Sequence, residues 1–341
     1  MIPGTTAIPQ PAGWQAEMAA AVTDPAELLA LLGLGEEWLP GACAAARLFP
    51  LRVPYSFISR MRRGDPHDPL LRQVLPLAEE CLAVPGYRID PVGDRAAMTV
   101  PGVLHKYHGR VLLTATGACA VHCRYCFRRH FDYADANPAA DRWRAALAYL
   151  RDDVAVSEVI LSGGDPLSFA DRRLAELIAE LDAIPHLRRL RLHTRTAVVL
   201  PSRVTGALLE TLRRTRLQPV VVLHVNHAQE IDRDARTAFS DLRTAGVTLL
   251  NQSVLLRGVN DDIETLRELS ETLFAAGVLP YYLHVLDRVQ GAAHFEVQDA
   301  SAHALHTARA ARLPGYLVPK LVREVAGAPG KVPLESLIRT I

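Results

Sequence analysis

Lysine is nearly absent from this chain. Of its 38 basic residues only Lys106, Lys320 and Lys331 are lysines, and arginine fills every other basic position. Each of the three is therefore a candidate for work that needs an amine and not a guanidinium. An excess of charge of either sign is also missing: 38 basic residues meet 37 acidic ones, for a formal charge of +1. That balance argues against a dedicated nucleic-acid-binding protein. No apolar run reaches the roughly 18 residues that a membrane-spanning helix requires. Residues 1–14 show neither the basic start nor the apolar core of a secretion signal, so a cytoplasmic protein is expected. What the chain does have, 49% hydrophobic residues over 341 positions, is enough for a sizeable folded core.

Cysteine is scarce too. There are five, yet Cys119, Cys123 and Cys126 fall within eight residues of one another. In a reducing compartment such clustering points to metal ligation before disulfides. Cys43 and Cys81 stand alone and are expected to be buried as small hydrophobes.

Apolar, β-branched-rich runs at residues 111–116, 158–162, 190–194, 219–225, 247–254 and 280–286 alternate with helical spacing at 142–151, 172–181, 203–215, 230–244, 263–275 and 300–311. Alternation of this kind predicts βα units around a parallel sheet. Six units, against eight in a complete barrel, predict an α/β fold: a partial, open (β/α)6 barrel of the TIM-like kind over residues 105–290. Residues 1–104 read as a helical N-terminal layer without chemistry of its own. Asp24, Pro25 and Glu27 mark one helix start there, and a further helix is expected near 68–82. Residues 291–341 form a C-terminal segment: one helix, then an irregular Pro- and Gly-rich stretch carrying Lys331.

Active sites of parallel barrels form at the carboxyl ends of the strands, and the unusual residues fall there. The first strand leads into the three cysteines, the second into Gly163, Gly164 and Asp165, and the third into His193 and Arg195. His224 ends the fourth, Gln252 lies in the fifth and Asp287 closes the sixth. Such convergence indicates an enzyme. The spacing Cys-x3-Cys-x2-Cys supplies three thiolates from one loop, which suits a four-iron cluster with one iron left open. The alternative is a structural zinc site, whose fourth ligand His122 or His130 could provide. Gly163 and Gly164 fit either close backbone approach to a ligand or a structural turn.

The cysteine motif with the Gly-Gly-Asp of the second strand resembles the radical S-adenosylmethionine (SAM) superfamily. The strings TGACAVHCRYCFRRHF, LSGGDPL, NQSVLLRGVND, YYLHVLD and GYLVP…GK resemble the lysine 2,3-aminomutase family, and among its branches the one that makes (R)-β-lysine for elongation factor P. The resemblance covers residues 105–333. It implies that Cys119, Cys123 and Cys126 hold a [4Fe–4S] cluster whose open iron binds SAM, and that Gly163, Gly164, Asp165, Arg195, His224 and Gln252 lie against SAM. A reduced cluster would cleave SAM to a deoxyadenosyl radical. The family also carries pyridoxal phosphate (PLP) as a Schiff base on a lysine in a C-terminal glycine-rich loop, which corresponds to Lys331, with Lys320 as the rival. A phosphate-binding P-loop is ruled out there, because Val325 and Val332 stand where it needs Gly and Ser or Thr. Lys106, Tyr107 and Arg110 correspond to positions near the PLP phosphate or ring.

The substrate implied is L-lysine. Arg128 can pair with its carboxylate, and Asp287 and Glu324 match the family's acidic positions for the distal amine, where Asp is usual at the second. These two carboxylates favour a cationic side chain over an acidic one, without separating lysine from ornithine. Hydrogen abstraction from the β-carbon, migration of the nitrogen and regeneration of SAM would give β-lysine, with the electron supplied by an external one-electron reductant. The expected pathway link is to elongation factor P and its lysine ligase. Alternatives are the same chemistry in lysine catabolism or solute synthesis, a radical SAM reaction that consumes SAM, and a metal-binding protein without catalysis.

Overall fold

The computed structural model describes residues 13–134 and 143–338. Most of the opening segment and residue 142, the expected start of the first barrel helix, lie outside the described residues. Ten strands form one sheet in chain order. β1 (Met98–Val100), β2 (Val103–Tyr107) and β3 (Arg110–Thr116) pair antiparallel. From β3 the strands run parallel through β4 (Glu158–Gly163), β5 (Arg189–Thr194), β6 (Gln218–Leu223), β7 (Thr248–Val254), β8 (Leu279–His284) and β9 (Lys320–Arg323). β10 (Val332–Pro333) turns back antiparallel on β9. The six expected strands are β3 to β8, and the fold is an open α/β partial barrel. The tail expected to be irregular adds a seventh parallel strand and an edge strand.

Helices Arg144–Asp152, Asp171–Asp182, Gly206–Arg214, Arg233–Thr244, Ile263–Ala275 and Asp299–Ala310 return the chain between successive parallel strands. Asp171–Asp182 shows why they pack outside. Its buried Leu174, Leu177, Ile178 and Leu181 recur at helical spacing and share one core with Leu161, Leu190 and Leu192 of the sheet. Each such fully buried side chain contributes roughly 1.5–3 kcal/mol. Along β5 the pleat sends Leu190 and Leu192 into that core and turns Arg191 and His193 to the barrel interior. The interior thus sets polar groups among apolar ones around a cavity of about 430 Å³.

The N-terminal layer has its own core, with Leu28, Leu32, Phe57, Leu70 and Leu71. Ala120 and Val121 of the cysteine loop and Val199 and Leu200 after β5 belong to it. Helix Pro25–Leu32 begins as expected, with Asp24 accepting from Ala26 N–H at 3.0 Å. One helix over 68–82 does not form. Asp68 caps only the turn Pro69–Arg72, Pro76 cannot continue a helical ladder, and a 3-10 turn follows at Ala78–Cys81. Cys81 ends that turn exposed and Cys43 is half-buried, so neither is the buried residue expected.

Candidate active site

The cysteine loop after β3 is seated from two sides. On the barrel side, Gly164 N–H donates to Thr116 O at 2.6 Å and Asp165 N–H to Ala118 O at 2.8 Å, while Tyr133 Oη donates to Gly163 O at 2.6 Å. Gly163 has φ +106°, and a Cβ on Gly164 would lie 2.4 Å from Ala118 O. Close packing of backbone on backbone requires glycine at both positions, and both line the cavity. On the other side, Glu80 of the N-terminal layer accepts from Arg124 Nε at 2.8 Å and Nη2 at 2.6 Å, and from Arg129 Nη2 at 2.7 Å. All three side chains are buried. The layer read as having no chemistry of its own forms the floor of the cysteine loop.

Cys119, Cys123 and Cys126 line the cavity. Burial pushes the Cys126 thiol up to about 11, with Cys123 adding to it, and pushes Cys119 well above the ordinary range. Thiols so placed keep their protons at neutral pH until a metal replaces them. Among the described residues no three His, Cys, Asp or Glu side chains gather closely enough to hold a single metal ion. His122 Nδ1 is 2.9 Å from Pro50 O and His130 Nε2 3.2 Å from Gln290 O. Each thus spends one ring nitrogen on a backbone carbonyl, and His122 lines the cavity with the cysteines.

The residues expected against SAM divide into two groups. Asp165 is buried, and its carboxylate is filled by Leu167 N–H at 3.0 Å, Thr194 Oγ1 at 2.8 Å, Arg195 N–H at 2.7 Å and Thr196 N–H at 2.8 Å. It ties the end of β4 to the end of β5 and lines the cavity. Arg195 is held by Gln73 Oε1 at 2.8 Å and Glu230 Oε2 at 3.2 Å, with Nη1 3.3 Å from Cys123 Sγ. His224 and Gln252 meet across the cavity wall, Nε2 to Nε2 at 2.8 Å. The amide nitrogen donates, so the imidazole accepts at Nε2 and is neutral. Burial agrees, lowering His224 to about 3.

A chain of alternating charge runs along the opposite wall. Arg128 Nε donates to Asp94 Oδ2 at 2.7 Å, and Lys106 Nζ lies 2.6 Å from Asp94 Oδ1 and 3.2 Å from Glu324 Oε1. Lys331 Nζ reaches Glu324 Oε2 at 2.8 Å and lies 5.6 Å from the centre of the Tyr282 ring. Burial alone would raise Glu324, but Lys331 and Lys106 hold it at about 2. Asp287 has no side-chain hydrogen bond or ion pair among the described residues. Burial raises it to about 7 against the pull of Lys331. Arg110 lies 4.6 Å from the centre of the Tyr107 ring, and both line the cavity. Lys320 is exposed at the start of β9 and is not part of the cavity wall.

The radical SAM superfamily profile matches residues 113–269. L-lysine 2,3-aminomutase of Escherichia coli K12 is 52% identical over 96% of this chain and 95% of its own length. The chain belongs to the lysine 2,3-aminomutase family. The protein of that name from Haemophilus influenzae is 48% identical, over 97% of this chain and 98% of its own, and that from Clostridium subterminale 34%, over 94% and 77%.

The cavity suits the family's cofactors. Three thiols from one loop face it, and two imidazoles, His193 and His284, line it with buried Nε2 atoms that have no hydrogen-bond partner among the described residues. Burial keeps both far below their ordinary pKa, so they offer neutral polar contacts to a bound molecule. Two amines, Lys331 and Lys106, stand on the cavity wall, and of the two Lys331 acts more strongly on the Asp287 carboxylate. Sequence reasoning gave no role to Gln73, Glu80, Asp94, Ser162, Asn226 or Glu230. Ser162 Oγ is 3.3 Å from Arg128 Nη1, and Asn226 Nδ2 donates to Gln73 Oε1 at 2.9 Å and Tyr125 Oη at 2.7 Å. Ser162 and Asn226 sit at strand ends, where polar residues draw attention; Gln73, Glu80 and Glu230 fall in runs that read as helix, where a polar residue passes for a solvent-facing position, and Asp94 lies in a loop without pattern.

Proposed function

We propose that the protein is an L-lysine 2,3-aminomutase that moves the amino group of L-lysine from C2 to C3, giving (R)-β-lysine for modification of elongation factor P. Lys331 is the lysine that would hold PLP, with Lys106, Tyr107 and Arg110 near its phosphate or ring. Cys119, Cys123 and Cys126 would hold the cluster. His224 and Gln252 would meet SAM on the wall between. The observation that carries the substrate is the unpaired carboxylate of Asp287 on the same wall system as Lys331, Glu324 and Arg128. A free anion beside an amine, with an arginine at the far end, fits an α-amino acid whose side chain ends in a cation.

When bound, the cluster and SAM supply the radical that removes a hydrogen, and PLP supplies the conjugated ring through which the nitrogen migrates. The chain's own residues orient the substrate and exclude water. Asp94 occupies Nε of Arg128, so a substrate carboxylate docks end-on through Nη1 and Nη2. Asp287 accepts the distal ammonium. Glu324 keeps Lys331 and Lys106 in register and is available to the ammonium once Lys331 has bound PLP.

The test is an anaerobic assay with iron, sulfide, PLP, dithionite, SAM and L-lysine, read by chiral separation of β-lysine. (R)-β-Lysine from the wild type, absent with Lys331→Ala or Cys123→Ala, is the expected result. One deoxyadenosine released per product would replace the isomerase reading by consumption of SAM. The link to elongation factor P rests on the resemblance of the motif strings to that branch. Mass spectrometry of elongation factor P from cells lacking the gene tests it: loss of the β-lysyl group is expected, and an unchanged mass would favour catabolism or solute synthesis.

A further inference from the structure

We propose that Arg195 sets the reduction potential of the cluster by donating a hydrogen bond to the sulfur of Cys123. The proposal rests on the reading that Cys119, Cys123 and Cys126 are the cluster ligands.

Nη1 of Arg195 lies 3.3 Å from Cys123 Sγ; Nε is buried without a partner among the described residues, and the direction is fixed by the other terminal nitrogen, the main chain and the flanking rings. Nη2 is turned the other way, onto Gln73 Oε1 at 2.8 Å and Glu230 Oε2 at 3.2 Å. Gln73 is itself anchored, its Nε2 donating to Pro69 O at 3.0 Å and Glu230 Oε1 at 3.1 Å. Glu230 in turn accepts from Asn226 N–H at 2.9 Å and His227 N–H at 3.1 Å. The Arg195 main chain is pinned by Asp165, 2.7 Å from its N–H, and the rings of Phe57 and Tyr125 flank the guanidinium with centres at 5.6 and 5.5 Å. A fork held at this many points presents its remaining terminal nitrogen to the sulfur.

Reduction spreads one more electron over the irons and their thiolates. A donor and a positive charge beside a ligating sulfur favour the more negative state, so they raise the potential. Arg195 is 4% exposed, and salt screens such a buried interaction little. Glu230 offsets part of the charge, while the directional N–H···S contact remains. Arg195 was expected from sequence to meet SAM; in this arrangement it acts through Cys123 with no SAM bound, which separates the two roles.

The experiment is an EPR-monitored redox titration of the reconstituted cluster without SAM, on wild type, Arg195→Met, Arg195→Lys and Gln73→Met, with iron and sulfide content measured on each. Arg195→Met is expected to shift the one-electron equilibrium tenfold or more toward the oxidised form, which is about 59 mV per tenfold. Arg195→Lys should recover part of the shift. Gln73→Met touches no cluster ligand and should move the midpoint in the same direction by less. If Arg195→Met loads too little iron to titrate, the Gln73→Met result decides alone. SAM-free midpoints equal to wild type overturn the proposal, and weaker SAM binding beside them would return Arg195 to the SAM carboxylate. A wild-type chain that assembles no [4Fe–4S] signal overturns the underlying reading of the three cysteines instead.

Discussion

The carboxylate of Glu80 takes two donors from Arg124, Nε at 2.8 Å and Nη2 at 2.6 Å, across 44 residues of sequence. Arg129 adds a third, and no water reaches the group. Removing one partner from a buried ion cluster leaves uncompensated charge and typically costs about 3–5 kcal/mol. Glu80→Gln is expected to lose stability of this order in urea unfolding of the cofactor-free protein, and to load less iron at equal protein. An unfolding midpoint equal to wild type would show that Glu80 does not seat the loop.

Gly164→Ala places a methyl group 2.4 Å from Ala118 O and 2.7 Å from Gly117 C. Both obstacles are backbone, so the cysteine loop must move. Reconstituted Gly164→Ala should hold well under half the iron of wild type, while its far-ultraviolet circular dichroism stays the same. Gly315→Ala, where a Cβ meets nothing within 4 Å, serves as the control.

Asp287 sits at about 7 in the ligand-free protein, raised by burial, against an ordinary value near 3.9. Unfolded chains ionise it near pH 4, so the folded state is progressively penalised as pH rises from about 4 to 7, and fully above that. Asp287→Asn should therefore melt at a higher temperature than wild type at pH 8 and at the same temperature at pH 4. For the enzyme the sign reverses. The ionised form is the one that accepts an ammonium, so KM for lysine should rise as pH falls through 7, and Asp287→Asn should abolish that dependence with KM raised about tenfold or more.

Lys331→Ala removes one cation from Glu324 and leaves the other, Lys106 at 3.2 Å. Glu324 should then stay ionised and the fold intact. The expected outcome is a protein with wild-type iron content and circular dichroism, no Schiff-base absorption on addition of PLP, and no β-lysine. Retention of the absorption band would assign the Schiff base to Lys106, the other amine on the cavity wall.

Strands β3 to β8 were legible because buried parallel strands read as apolar runs, and each of the six expected runs overlaps its strand. Helix Ile263–Ala275 matches to the residue, where Asp262 caps it through Thr265 N–H at 2.9 Å. β9 was missed because Lys-Leu-Val-Arg is short and flanked by charge, and β1 and β2 because three- and five-residue strands fall below any periodic signal. The cysteines, Lys331 and Asp287 stood out by type and place. Asp94 did not: it lies in a loop with no pattern, and its importance arises when the fold brings it within 2.7 Å of both Arg128 and Lys106. The glycine pair was legible as a turn or a ligand approach and Asp165 as a site residue, but not their partners Ala118 and Thr194, which are set by the packing of neighbouring strands.

Lys331 directly precedes β10, one edge strand of the sheet. β10 is joined to β9 by two residue pairs, Val332 with Arg323 and Pro333 with Val322, and Pro333 contributes no N–H. Fraying of so short a ladder requires no disturbance of the seven parallel strands behind it. The amides of this segment should therefore exchange with deuterium well before those of β4 to β7.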